Sequence, residues 1–125
     1  MVRGIRGAIT VTENSVDQIQ SATKEMLQVI VKENSLSAED IISAVFTVTP
    51  DLNAAFPASS ARAFGWQQVP LLCCTEIPVP GALTRCIRVL LHVNTEKSQQ
   101  EVHHVYLRNA IQLREDLKQA EEMGR

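Results

Sequence analysis

Residues 86–93 read CIRVLLHV, and their alternation constrains the fold more than any other stretch of the chain. In an extended strand Ile87, Val89, Leu91 and Val93 fall on one face, and Cys86, Arg88, Leu90 and His92 on the other. The first set calls for a second layer packed against it. The second set carries an arginine, which stays ionised inside proteins, and burying an unpaired charge is costly. Three arrangements resolve the conflict: an internal carboxylate partner, a sheet face open to water, or an anionic ligand.

The flanking sequence supplies the rest of a sheet. Residues 2–11 predict a first strand with Ile5, Ile9 and Val11 on one face and Gly4, Arg6, Ala8 and Thr10 on the other. Residues 15–33 predict an amphipathic helix, with Ser15 and Gln18 spaced as a capping box and Asn34 as its stop. Ser37 and Asp40 cap a short turn, and a strand over 41–48 follows, with Ile42, Ala44, Phe46 and Val48 as its apolar face. Pro57 opens a short helix that runs to about Phe64, and Gly65 closes it. Trp66 is read as a packing anchor.

Residues 69–79 predict a third strand, bounded by Pro70 and by Pro78-Val79-Pro80-Gly81. Its one acidic residue, Glu76, mirrors Arg88. The short link places the two strands side by side and antiparallel, with both charges facing one cavity. Ser98 and Glu101 form a second capping box, which predicts a helix over 98–109, followed by a short extended piece at 110–113. From Arg114 the chain is charged and reads as a mobile tail. The expected fold is α+β: a mixed four- to five-stranded sheet with helices on one face. Its other face would be covered best by further copies of the chain.

Composition narrows the function. A length of 125 residues suits one domain. A net charge of −2 gives no basic field for nucleic acid. No apolar run approaches the ~20 residues that span a membrane, and the start MVRGIRG lacks a signal-peptide core. Cys73, Cys74 and Cys86 have neither metal-ligand nor disulfide-framework spacing, which fits a reducing, cytoplasmic compartment. His103-His104 reads as a solvated pair, and no glycine-rich phosphate loop is present. Eight arginines against four lysines tilt the cationic residues toward the side chain that grips carboxylates with a fork. Arg6, Arg62, Arg88 and Arg114, with Glu76 and Tyr106, suggest a pocket for a small dicarboxylate without nucleophile or metal. A plain cross-strand ion pair between Arg88 and Glu76 remains an equal reading of the residues alone.

The motifs RGIRGA (3–8), TPDLNAAFPA (49–58), GWQQVP (65–70), CTE (74–76), RCIRVLLHV (85–93), HVYL (104–107) and LR-DL (113–117) together resemble the AroH-class chorismate mutases. The resemblance covers most of the chain, in order, and implies a domain over 1–117 with a charged tail at 118–125. It implies an isomerase that rearranges chorismate to prephenate by a Claisen [3,3] shift in phenylalanine and tyrosine biosynthesis. It further implies no cofactor and a homotrimeric pseudo-α/β-barrel with sites at the subunit clefts. By matching position, Arg88, Glu76 and Arg6 are the expected catalytic residues. Tyr106, Cys73, Arg62, Arg114, Phe56, Ala58, Leu72 and Leu113 are the expected substrate contacts. Strict alternation puts Cys73 and Glu76 on opposite faces of one strand, and Ser59 stands where relatives often carry lysine. Two other functions are weighed against this one: a non-catalytic trimer that binds small carboxylates, and a structural oligomer in which Arg88 and Glu76 merely pair.

Overall fold

The computed structural model describes residues 1–114. The five strands are β1 (Val2–Thr10), β2 (Ile41–Val48), β3 (Leu71–Thr75), β4 (Cys86–Asn94) and β5 (Val105–Leu107), and the helices are α1 (Val16–Asn34) and α2 (Pro57–Ala63). They form one sheet in the order β3-β2-β4-β1-β5. β4, the strand carrying Arg88, is central and antiparallel to both β1 and β2. β5 and β3 add in parallel at the two edges, beside β1 and β2 respectively.

The alternation along β4 is realised. Ile87, Val89, Leu91 and Val93 are buried, together with Ile5, Ile9 and Phe46 of the neighbouring strands. They pack against Ile19, Met26, Leu27 and Ile30 of α1 and Ala58 and Ala61 of α2. Ser15 caps α1 by accepting from the Gln18 amide, and Ser35 ends it in the left-handed region at φ 53°. Gly7 faces this helix in the row Cys73–Phe46–Val89–Gly7–Val105. A Cβ there would sit 2.6 Å from Ile30 Cδ1 and 3.1 Å from Val89 Cγ1, so the glycine lets α1 lie close on the sheet. Trp66 is buried as an anchor and meets Phe64 edge-on.

Several expectations are corrected. β3 does not neighbour β4. It pairs in parallel with β2, because α2 returns the chain as a β-α-β crossover, and β2 separates the two strands. β3 also ends at Thr75, short of Glu76. The predicted helix over 98–109 is one turn: the Ser98 amide donates to Glu101, and the amides of Glu101 and Val102 donate to the Ser98 carbonyl. The chain then extends into β5, turns through a 3-10 segment at Arg108–Ala110, and is helical rather than extended at 111–114. A register shift between Ile41 and Ser43 puts Ile41 in the core and leaves Ile42 39% exposed, so Ile41 replaces Ile42 on the apolar face. The boundary at 117 and the tail at 118–125 lie outside the described residues.

The start of β4 is held by the segment that ends β2. Both Asp51 carboxylate oxygens accept from the Arg85 amide, at 3.2 and 3.0 Å, and Thr49 Oγ1 accepts from the Cys86 amide at 3.0 Å. Arg85 takes φ 48° at this corner. The clamp lies two residues from Arg88 and fixes where the strand begins.

Overpacking a close helix–sheet contact typically costs about 1–3 kcal/mol. Gly7→Val is therefore expected to lower the stability measured by urea unfolding by about that amount or more. An unchanged midpoint and slope would show that Ile30 and Met26 yield freely.

Candidate active site

The face of the sheet away from α1 carries the second alternating set. Cross-strand register aligns Cys74, Thr47, Arg88, Ala8 and Tyr106 in one row and Leu72, Val45, Leu90 and Arg6 in the next. Ala8 and Thr47 flank Arg88 on either side and are small, which leaves room above the guanidinium. A cavity of about 460 Å³ occupies that room, lined by Arg6, Ala8, Val45, Thr47, Glu76, Arg88, Leu90, Tyr106 and Leu113.

The geometry decides among the three explanations for Arg88. Glu76 is its partner, with Oε1 3.7 Å from Nε, although the two strands are not neighbours. The chain runs one residue past β3, with the Glu76 amide donating to the Val48 carbonyl at 2.8 Å, and this carries the carboxylate over the end of β2. At 3.7 Å the pair attracts electrostatically without a hydrogen bond. Arg88 Nε is buried and has no hydrogen-bond partner among the described residues, while the side chain as a whole is 43% exposed. The guanidinium thus lines the cavity with donors that Glu76 does not use. Thr47 Oγ1 and Tyr106 Oη are also buried without partners. Three unpaired polar groups on one cavity wall describe a site prepared for a polar ligand.

The cations lining the cavity are both arginines, Arg6 and Arg88. Cys86 lies beneath, packed with Ala8 and Ala110. Burial pushes its thiol pKa up, opposed by the neighbouring Arg88, which favours the neutral thiol. Leu113 closes one end from the turn after β5. That turn is fastened by Arg108, which donates to the Thr10 carbonyl at 2.9 Å and pairs with Glu25 at 3.1 Å. Among the described residues, no group of three or more histidine, cysteine, aspartate or glutamate side chains is arranged to hold a metal.

Of the residues expected from the sequence, Arg6, Glu76, Arg88, Tyr106 and Leu113 meet in this cavity. The others do not. Cys73 faces the helical layer in the row of Phe46 and Val89, on the side of the sheet opposite Arg88. It lines a separate depression of about 300 Å³ with Phe56, Pro57 and Cys74. Phe56 is 70% exposed and Leu72 is 61% exposed at the β3 edge. Ala58 is buried under α2, and Arg62 and Arg114 are exposed and line neither cavity. Thr47 was not anticipated. Its signal was present, since it is a hydroxyl on the non-core side of the strand next to Arg88.

The family description "chorismate mutase type I" matches residues 2–117. The chain is 52% identical over 122 residues to a chorismate mutase from Thermus thermophilus, covering 97% of this chain and 100% of the relative. It is 44% identical over 118 residues to one from Bacillus subtilis, covering 94% and 93%. A solved chorismate mutase from Clostridium thermocellum superposes with a TM-score of 0.86 at 50% identity, over 87% of this chain and 97% of that one. With a match along nearly its whole length and the same fold, the chain belongs to the chorismate mutase type I family.

Proposed function

We propose that this chain rearranges chorismate to prephenate, and that the cavity against Arg88 is where the rearrangement occurs. Chain-long similarity to chorismate mutases supports the reaction, and the Arg88 guanidinium, paired with Glu76 at 3.7 Å without a hydrogen bond and lining the cavity, supports the place. The reaction is an isomerisation. One C–O bond of the enolpyruvyl ether breaks as one C–C bond forms, so no atom, proton or electron pair leaves the molecule. The protein's task is to hold a flexible dianion compact and to stabilise charge that develops on the ether oxygen.

Arg88 is the donor to that oxygen. Its charge opposes a partial negative charge that is larger in the transition state than in the substrate, which is the differential needed to lower a barrier. Glu76 accepts from the substrate hydroxyl and faces the ring as the C–O bond lengthens. Arg6 holds a carboxylate and reaches toward the ether side. Tyr106 contacts a carboxylate, and Thr47 offers a further hydroxyl beside Arg88. Removing one such donor typically costs ~10²–10³ in rate.

The remaining expected contacts belong to a second copy. β3 lies two strands from β4, about 10 Å at a strand spacing of about 4.8 Å, and Cys73 faces the opposite side of the sheet. Phe56, Arg62, Leu72 and Cys73 line no part of their own chain's cavity and are proposed to complete that of a neighbouring subunit, while Ala58 is buried against the core. Closure in this heterologous sense gives a ring, and a homotrimer is the proposed assembly. Arg114 and Leu113 close the same cleft. The exposed Cys74 thiol next to Cys73 supports a reducing, cytoplasmic setting.

The loss of chorismate absorbance with purified protein tests the reaction, and turnover no faster than the uncatalysed rate would sink it. Arg88→Lys replaces the planar fork with a point charge. It is expected to lose ~10²–10³ in kcat, and near-normal turnover would reassign the role of Arg88. Shared sites have their own signature. Arg88→Met and Phe56→Asp are each expected to be inactive and to assemble as trimers by solution mass. Subunits of the two variants mixed at random should regain about a quarter of wild-type sites, because each intact site draws one half from each variant. No recovery on mixing would place the whole site within one chain.

A further inference from the structure

Arg6 sits where the support for its strand runs out. β5 pairs with β1 from Val105 opposite Gly7, so on that side the ladder begins one residue after Arg6. The Arg6 amide is not left orphaned. It donates to Nδ1 of the His104 ring at 2.9 Å. A side chain stands in for the strand carbonyl that β5 is too short to provide.

The backbone next to the ring is itself held. Asn34, buried at the end of α1, accepts from the His103 amide at 2.8 Å and donates to the His103 carbonyl at 2.9 Å. The segment that presents His104 is thereby fastened to the helical layer, and His104 transmits that position to the backbone of a residue whose side chain lines the cavity. We propose that His104 is a positioning residue for Arg6: its neutral imidazole fixes the Arg6 backbone through Nδ1, and protonation of that nitrogen releases the Arg6 guanidinium from its working place.

The bond requires a bare Nδ1 with the ring proton on Nε2. A proton on Nδ1 would set a donor against the Arg6 amide donor. The charged and titratable groups set against the ring are Arg6, on β1, and His103, on its own segment. Partial desolvation of a ring that still reaches the surface holds the His104 pKa below its ordinary 6.5, and positive charge at Arg6 and His103 adds to this. The neutral form is thus favoured in the folded chain. The contact persists at neutral pH and is lost as pH falls through a value below 6.5.

The role assigned to Arg6 rests on the chorismate reading, so the test has one arm that needs turnover and one that does not. In the intact enzyme, kcat/KM for chorismate is expected to fall at acid pH in a one-proton step below 6.5. His104→Asn offers an oxygen near the place of Nδ1 but does not titrate. It should keep kcat/KM within about threefold at pH 7.5 and lose that acid step. His104→Leu should lose about ten- to a hundredfold in kcat/KM at every pH, since small misplacements of a catalytic group have effects of that size. The second arm is amide hydrogen exchange at Arg6 without substrate. Protection should be strong in the wild type, retained in His104→Asn and lost in His104→Leu. A wild-type kcat/KM in His104→Leu, an unchanged acid step in His104→Asn, or unchanged Arg6 protection in His104→Leu would overturn the proposal. A wild type that protects Arg6 as expected but does not turn over chorismate would leave the contact standing and refute the reaction instead.

Discussion

An ionised guanidinium in the middle of a central strand is the constraint that the rest of this chain accommodates. β4 pairs on both sides, so its backbone cannot shift to carry Arg88 out to solvent. Residues 87, 89, 91 and 93 must face α1, which forces Arg88 to the opposite side. Water, a carboxylate or a ligand must then meet it there. Glu76 comes near without forming a hydrogen bond, and the small Ala8 and Thr47 keep the space above open. A closed ion pair would have been an adequate structural solution. The observed arrangement instead keeps the guanidinium partly exposed on the cavity wall, with Glu76 at ion-pair distance.

The same constraint shapes the layers. The two α-helices, α1 and α2, cover one face of the sheet, and the Arg88 face carries the cavity, with only the short helical segment after β5 packed at its end. That other face nonetheless bears Leu90 and Leu72, at 40% and 61% exposure, among its polar residues. Gly7 and Arg6 show the division within two consecutive residues. Gly7 lets α1 approach to van der Waals distance on one side, and Arg6 reaches the cavity on the other. Packing and chemistry are thus separated by the two-residue period of a strand and need no separate domains.

That period is also why so much was legible in the sequence. The faces of β4 and β1, the length of α1 and the helix at Pro57 all follow from local alternation, helical spacing and caps. What was not legible is non-local. β5 has three residues, too few for a pattern, and exists because β1 offers it a parallel edge. The Ser98–Glu101 box is real, but a capping box marks where a turn starts and not how far it runs. Adjacency in sequence suggested that β3 and β4 pair, whereas the helix between β2 and β3 makes those two parallel neighbours. Glu76 and Arg88 still meet, by a route the sequence did not indicate. Cys73, Phe56 and Ala58 could be recognised by family resemblance, but their separation from Arg88 within one chain follows from their lying at the helical layer rather than on the cavity face.

Arg88 and Arg6 are held in different ways, and the difference bears on how the site responds to its surroundings. Arg88 is fixed by ladders on both sides and by the Asp51–Arg85 clamp at the start of its strand. None of these contacts contains a histidine. Arg6 depends on the β4 ladder on one side and on one imidazole on the other. What distinguishes the two is the group that holds each in place. The strand with complete backbone pairing gives a cation whose position is insensitive to pH, and the strand whose partner begins one residue late gives a cation whose position depends on the protonation of a side chain.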